Sequence, residues 1–402
     1  MSALPDFPNI RPRLLMDFAN SRRTHPLLTC TRASAATCFG PDGKLRTVGS
    51  NIPRIDYDPV TGKCLGLLIE EARANLLLNS VFAGAVSGTP GTAPTNYGFG
   101  VGNGSTTVIA GGLVTTLRLS ATAARHFLAY NNVAVAVGQY TFSVPCNVFT
   151  AAAMSASIGR IDGTAVSAVK YFIDGVEVTA NTSNGLGRKK LSILIDVTTA
   201  GTINLRFGVG VSTGVTADIE IGTPQFELGS FATSPILTTT ATATRAADNV
   251  NLDITLPTVG AVTSAVLGLP SGSTNNAYVW SAINPADINA DHAYFYFSGT
   301  ANTTNWWVNK ANVGQSGRSI AGRMPNSGFA YSDLAKTAAI ASGSLISIDA
   351  TARAKDFPSN LTRLYLGRSH SAANTGYLNG CISRLAIYGG AITHAQLQRL
   401  TA

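Results

Sequence analysis

From about residue 76 onwards, short runs of alternating polar and apolar residues are separated by Gly, Asn, Pro and Ser. Runs such as 139–144 (QYTFSV) and 202–209 (TINLRFGV) have the two-residue period of a strand with one buried face. Between two further runs, Asp174-Gly175 is a strong short-range signal of a β-hairpin. The pattern predicts an all-β protein of antiparallel strands, as found in sandwiches and barrels.

Three segments follow from changes in this pattern. Residues 231–248 (FATSPILTTTATATRAAD) have no clear periodicity and are rich in Thr and Ala, which indicates an extended linker with a domain boundary near residue 245. The first 79 residues are rich in loops and too few for an independent core, so we expect them to pack on a neighbouring domain or on another subunit. We therefore predict an N-terminal attachment segment (1–79), a β-sandwich with its trailing linker (80–245), and a second β-sandwich (246–402) that folds without the rest.

The clearest helix signal lies at the C-terminus. Thr393 precedes Gln396 by three residues, which is the spacing of a capping box. Leu397 and Leu400 then fall on one helical face. The sequence predicts a short helix packed against the second sandwich.

Composition narrows the class of protein. Only 12% of the residues are charged and 45% are hydrophobic, which excludes a disordered chain and disfavours a coiled coil. The net charge of +8 is spread along the chain rather than concentrated in a stripe, so we expect no nucleic-acid partner. The one basic cluster, 188–190 (RKK), is interpreted as a charged strand edge or turn. No apolar run is long enough to span a bilayer, and residues 1–13 lack the apolar core of a secretory signal, so we expect cytoplasmic synthesis without membrane insertion.

Catalytic and metal-binding patterns are sparse. Residues 210–214 (GVSTG) match the nucleophile-elbow pattern, but a strand-like run follows where that chemistry requires a helix, so a hairpin turn is predicted. Glu220 and Glu227 are the nearest candidates for a glycosidase carboxylate pair, and we interpret both as solvent-facing strand residues. The five cysteines have neither CxxC spacing nor a neighbouring histidine and are expected to be buried free thiols. Asp287 and Asp291 are candidates for a calcium ion, but Asp-rich loops in sandwiches are usually turns. We expect no enzymatic activity and no cofactor, and calcium binding stays open.

Aromatic residues are the better candidates for a binding site. Trp306 and Trp307 are adjacent, so a strand would send one into the core and the other to the surface. Trp280, with Tyr278 two residues earlier, is expected to add to the same surface. An exposed indole can support a sugar ring or a protein interface. Core packing, a subunit contact and a glycan site stay open as roles for these four residues.

Several segments resemble those of tailed-phage structural proteins. They are 31–37 (TRASAAT), 51–62 (NIPRIDYDPVTG) and 66–77 (GLLIEEARANLL), and the passage from Thr233 to Asp248 also fits. In that family they flank a jelly roll similar to carbohydrate-binding modules. Residues 364–367 (LYLG) and 376–388 (GYLNGCISRLAIY), with the terminal helix, resemble a concanavalin A-like, laminin-G-type sandwich.

The resemblance implies two tandem antiparallel β-sandwiches (jelly rolls) after a loop-rich attachment segment. It implies a non-enzymatic virion protein, assembled in the bacterial cytoplasm, in a tail fibre or baseplate that engages the host surface. Its partners would be tail or baseplate proteins bound by the N-terminal segment, and a host surface glycan. The N-terminal segment without a core of its own, together with the low charge, also predicts that copies of the chain associate as a homotrimer. The first alternative function is a capsid decoration protein. The second is a polysaccharide-degrading enzyme, which the missing carboxylate pair disfavours.

Overall fold

A computed structural model describes residues 11–158, 160–162, 166–270, 276–311, 313–324, 326–332, 337–349, 357–370 and 376–402. Residues 1–10 of the predicted attachment segment lie outside the described residues. In the described part of the N-terminal segment, short strands alternate with loops. They are β1 (Leu14–Asp17), β2 (Thr29–Thr31), β3 (Ala36–Phe39), β4 (Leu45–Val48), β5 (Arg54–Tyr57), β6 (Cys64–Ile69) and β7 (Arg73–Asn75), with helix α1 (Phe18–Ser21) after β1.

The middle of the chain forms the first sandwich. Its strands are β8 (Gly98–Gly100), β9 (Ser105–Gly111), β10 (Val114–Ala124), β11 (His126–Val135), β12 (Gly138–Thr150), β13 (Arg160–Asp162), β14 (Val166–Ile173), β15 (Val176–Val178), β16 (Gly187–Val197), β17 (Gly201–Val209), β18 (Val215–Ile221) and β19 (Gln225–Leu228), with helix α2 (Met154–Ser157). One sheet has the order β15-β14-β16-β12-β18-β10-β9, with β19 also on β12, and it faces the sheet β13-β17-β11-β8.

The remaining strands are β20 (Ala243–Arg245), β21 (Asn249–Asp253), β22 (Gly260–Leu267), β23 (Ala277–Ile283), β24 (His292–Phe297), β25 (Thr303–Lys310), β26 (Val313–Ala321), β27 (Asn326–Ser332), β28 (Thr337–Ser342), β29 (Leu345–Asp349), β30 (Arg363–Leu366) and β31 (Gly380–Gly389), followed by helix α3 (His394–Leu400). The second sandwich has a seven-stranded sheet, β2-β21-β30-β23-β24-β25-β26. Its eight-stranded sheet has the order β29-β28-β27-β22-β31-β6-β5, with β1 also on β31. The all-β prediction with antiparallel sandwiches is confirmed.

Local signals in the sequence produced the expected elements. The Asp174-Gly175 pair, with φ of 50° and 82°, turns β14 into β15. Residues 210–214 connect β17 directly to β18, so a strand and not a helix follows Ser212. The predicted hairpin turn is wrong, because the two strands belong to different sheets and the connection crosses between them. Thr393 and Gln396 form the capping box of α3, and Leu397 packs into a small cluster under that helix. None of the helices in the described part of the chain is long and apolar enough to cross a membrane.

The strand pairing does not follow the predicted segment boundaries. Strands β1, β5 and β6 belong to the eight-stranded sheet of the second sandwich, and β2 is the edge of its seven-stranded sheet. Their buried side chains are part of the same core as those of residues after 246: Leu14, Met16, Phe18, Cys30, Leu67 and Ile69. The apolar residues of the N-terminal segment therefore find their partner within the chain, and residues 246–402 alone lack four strands of their sandwich.

The passage 231–248 is extended, as expected, but it is not a free linker. Its last part forms β20 on β7. Asn75 donates to the carbonyls of Pro224 and Ile236, at 3.1 and 2.9 Å, from a fully buried position. The passage is thus packed into the region where the two sandwiches meet.

Candidate functional site

The adjacent tryptophans lie on β25 and point in opposite directions. Trp306 is 2% exposed, and its ring packs on Phe329 with centroids 4.2 Å apart. Trp307 is 40% exposed. This is the alternation that a strand imposes on consecutive side chains. Only Trp307 of this pair is accessible to a partner.

Trp280 and Tyr278 do not share a face, contrary to the sequence interpretation. A register shift between them pairs Tyr278 with Tyr296 but Trp280 with Phe295. The extra residue of this β-bulge reverses the alternation. Trp280 therefore points into the core, where it is 1% exposed and stacks on Phe295, whereas Tyr278 stays on the outer side.

The outer side of the seven-stranded sheet carries a group of rings that we call the aromatic face: Trp307, Tyr278, Tyr294, Tyr296, His292 and His370. Tyr294 stands directly opposite Trp307 in the register of β24 and β25. The three tyrosine rings lie 5.3 to 5.7 Å from one another by centroid distance. His370 stacks on His292 at 4.2 Å and on Tyr294 at 5.4 Å.

Two glycines of the edge strand β26 set the orientation of Trp307. A Cβ at Gly317 would lie 2.2 Å from Cε3 of the indole, and one at Gly314 would lie 2.6 Å from Cζ2. The indole therefore occupies the space above the backbone of β26 that side chains at these positions would fill. One ring face rests on the sheet and the other is left to solvent.

The aromatic face is electrically neutral around Trp307. Among the described outward-facing side chains of β23, β24, β25 and β26, none is an aspartate, glutamate, lysine or arginine. Burial, with contributions from His292 and Arg368, lowers the pKa of His370 to about 4, and burial also lowers the pKa of His292. Both imidazoles are thus uncharged at neutral pH.

Sequence reasoning missed most of this face. The run 293–297 (AYFYF) alternates as a strand does, but the sequence interpretation did not include its two tyrosines in the candidate surface. Their alternation with buried Phe295 and Phe297 was the available signal. His370 reaches the face from a connection far along the chain, and nothing local in the sequence indicates that.

A second cluster, which we call the charged junction, joins the two sandwiches: Arg32, Arg54, Glu70, Ser234, Arg245 and Asp248. Arg54 contacts both Glu70, at 2.8 Å, and Asp248. Asp248 also binds Arg32 at 2.8 Å, and Arg245 binds Glu70 at 2.9 Å. The three arginines and the two carboxylates of this network are all almost completely buried. Each segment that resembles phage proteins contributes at least one of these residues.

One sequence interpretation is wrong near this junction, and a basic cluster lies beside it. Glu227 does not face solvent, since its side chain is 0% exposed. Its buried carboxylate accepts hydrogen bonds from the backbone N–H and from the hydroxyl of Thr233, both at 2.7 Å. The cluster 188–190 lies at the start of β16, where it pairs with β12 on one side and extends beyond the last β14 pair, at Leu191, on the other. Arg188 donates to the carbonyls of Gly43 and Pro59 at 3.0 Å, and Lys190 to that of Thr233 at 2.8 Å. These charges hold the segments together beside a cleft of about 1020 Å³.

The other candidates for chemistry have structural partners. All five cysteines are free and buried, as predicted. Glu220 accepts a hydrogen bond from the Thr116 hydroxyl at 2.6 Å. Asp287 accepts from backbone N–H groups of its own loop, and Asp291 accepts from the Ala311 N–H and the Asn360 side chain. No group of three or more metal-ligating side chains occurs among the described residues.

Comparisons with known proteins give a limited result. No family model matches the chain, and no curated protein matches it significantly. Among solved structures, the Ruminococcus gnavus IT-sialidase CBM40 is similar at 12% identity and a TM-score of 0.30, covering 36% of this chain and 83% of that one. Its complexes with α2,3 and α2,6 sialyllactose give 16% and 13% identity, TM-scores of 0.30 and 0.31, and coverage of 37% of this chain against 84% and 85% of theirs. A likeness of this size identifies no ligand for this chain.

Proposed function

We propose that the chain is a non-enzymatic structural protein of a tailed-phage virion, in a tail fibre or baseplate, and that it contacts the host surface through the aromatic face. The observation that carries the proposal is the orientation of Trp307. A large apolar ring, held against two glycines with its other face open to solvent, presents a fixed surface on which a partner can pack.

The charged junction supports the assignment to the phage family. The resemblance was based on separate stretches of sequence, and their polar residues meet in one buried network. Breaking such a network by removing one partner is strongly destabilising, so these residues are constrained together. This accounts physically for a motif that is discontinuous along the chain.

Assembly into a homotrimer, and attachment to tail or baseplate proteins through the N-terminal segment, belong to the same proposal. One sequence argument for a trimer is an N-terminal segment that lacks a core of its own. Because that segment packs within the second sandwich, the argument for a trimer is the low charge of the chain, which favours burial of surface by symmetric assembly. Light scattering of the full-length chain at micromolar concentration tests it, and a monomer would contradict it.

The location and the host contact can be tested together. Gold-labelled antibodies against the chain should mark the tail tip or fibres in electron micrographs of virions, whereas labelled heads would favour the capsid decoration alternative. Purified protein should compete with virions for adsorption to host cells. Trp307→Ala should lose this competition, and Phe149→Ala, which removes a ring of equal exposure (42%) from the first sandwich, should retain it. Release of sugars from host polysaccharide by the wild-type chain would instead favour an enzyme.

A further inference from the structure

We infer that the aromatic face binds an uncharged oligosaccharide, with one sugar on Trp307 and a neighbouring sugar over Tyr294 and Tyr296. The inference rests on the proposed function, because it names the ligand class of the same surface. It also adds a second subsite, formed by residues on a different strand from Trp307.

The first subsite follows from the position of the indole. The ring lies against Gly314 and Gly317, so it cannot turn into the sheet and presents a fixed plane to solvent. One side of a pyranose ring carries mainly C–H bonds, and it can pack on such a plane by dispersion and burial of apolar area. Because the plane exists before binding, little side-chain freedom is lost when the sugar arrives.

The second subsite lies one strand away. Tyr294 is the direct cross-strand neighbour of Trp307, and such pairs have Cβ atoms about 4.5–5.5 Å apart. Tyr296 and Tyr278 stack beside it with centroids 5.3 Å apart. These rings are half-buried, so their positions are restrained, and their phenol groups can both donate and accept hydrogen bonds. The aromatic face is therefore wider than one sugar ring.

The surrounding polar groups favour an uncharged ligand. Asn305 and Asn309 flank Trp307 on the same side of β25, and Ser319 stands opposite Asn305. Amides and hydroxyls donate and accept, which suits sugar hydroxyls. Sites for sulfate, phosphate or carboxylate groups commonly use arginine or lysine, and no described outward-facing position on these four strands has either.

The exposed apolar area is too localised for a protein partner. Trp307 is the single strongly exposed large hydrophobic residue among the described members of the aromatic face. A specific protein interface buries about 800 Å² on each partner and usually includes several apolar anchors. A small ligand matches one exposed ring beside half-buried rings better.

The test is calorimetric titration of the full chain with neutral hexose oligosaccharides of increasing length and with their uronic-acid or sialic-acid counterparts. Neutral chains should bind more tightly, and a disaccharide should gain affinity over its monosaccharide. Trp307→Ala should weaken binding by on the order of tenfold or more. Gly317→Ala should weaken it as well, because the new methyl group displaces the indole without removing it. Phe149→Ala is the matched control and should bind like wild type.

The outcomes separate the two proposals. Preference for acidic chains, no gain beyond one sugar, or equal binding by wild type and Trp307→Ala would overturn the inference. If Trp307→Ala loses competition for host adsorption while no neutral oligosaccharide binds, the proposed function stands and the inference is wrong. If neutral chains bind through Trp307 but the protein never competes for adsorption, the inference stands and the proposed host contact is wrong. A melting curve for each variant shows that it is folded before it is titrated.

Discussion

Replacing Glu70 by glutamine tests whether the charged junction stabilises the protein. Glu70 is buried, and its carboxylate receives Arg54 at 2.8 Å and Arg245 at 2.9 Å. The backbone N–H and the hydroxyl of Ser234 donate to it at 2.7 and 2.6 Å. Glutamine keeps the shape and one acceptor oxygen but removes the negative charge, so two buried guanidinium groups lose a shared partner.

The magnitude follows from the pKa of Glu70. Burial alone would raise this pKa, but Arg245, Arg54 and the Ser234 hydrogen bonds outweigh burial and lower it from 4.5 to about 2. That difference corresponds to about 3 kcal/mol of folding free energy. It agrees with the roughly 3–5 kcal/mol expected when one partner of a buried pair is removed. Because the pKa is lowered by folding, the contribution is present above pH 4.5 and is lost as the pH falls towards 2.

Urea unfolding followed by tryptophan fluorescence is the appropriate assay. All three tryptophans lie in the second sandwich and report on its unfolding, and urea leaves charge interactions unscreened. Glu70→Gln should lower the free energy of unfolding by about 3 kcal/mol at pH 7. The difference in unfolding free energy between this variant and wild type should become smaller when both proteins are measured at lower pH.

The matched control is Glu177→Gln. Glu177 pairs with Lys170 at 3.2 Å, but both side chains are about half exposed, so its loss should cost below about 1 kcal/mol. The reasoning is refuted if the two variants lose similar stability at pH 7, or if the Glu70→Gln gap is independent of pH between 7 and 3.

Further predictions concern the two sandwiches. Residues 246–402 expressed alone should not melt cooperatively, because six core side chains that come from the N-terminal segment are missing. Burial of each of these side chains contributes about 1.5–3 kcal/mol. The sum is comparable to the total stability of a typical protein, which is roughly 5–15 kcal/mol. A cooperative circular-dichroism melt would contradict this. Trp306→Ala should cost about 3–5 kcal/mol in urea unfolding through loss of core packing, whereas Trp307→Ala should change stability little. Folding lowers the pKa of His370 to about 4, so wild type should lose stability as the pH falls from 6.5 towards 4. His370→Gln should lose less over that range in thermal melts, and equal losses would exclude this histidine as a cause.

The sequence predicted the local features well because their signals are local. Strand alternation, the Asp-Gly turn after β14 and the capping box of α3 depend on residues a few positions apart. The same holds for the opposite directions of Trp306 and Trp307, which need only one uninterrupted strand. Of the aromatic face, these signals indicated Trp307 and Tyr278 and no other member.

The features that were not predicted depend on pairing between distant segments. Strand β6 lies beside β31, about three hundred positions later, and no local pattern indicates which sheet receives it. The bulge between Tyr278 and Trp280 changes the face of one tryptophan without any glycine to mark it. Arg54, Glu70 and Asp248 look like surface residues in the sequence, because a buried charge is recognisable only together with its partner.

Burial of these charges also bears on how copies of the chain would associate. Only 12% of the residues in this sequence are charged. Nine arginine, aspartate and glutamate side chains in the described part of the chain are nevertheless buried: Arg32, Arg54, Glu70, Arg73, Glu227, Arg245, Asp248, Asp349 and Arg368. The solvent-facing surface is correspondingly poor in charge, so long-range repulsion between copies is weak and ionic contacts between them are few. We expect the oligomer to depend on apolar and hydrogen-bonded contacts. Its dissociation constant, measured by sedimentation at low and at high salt, should then change little, whereas a strong weakening by salt would show that charged side chains hold the copies together.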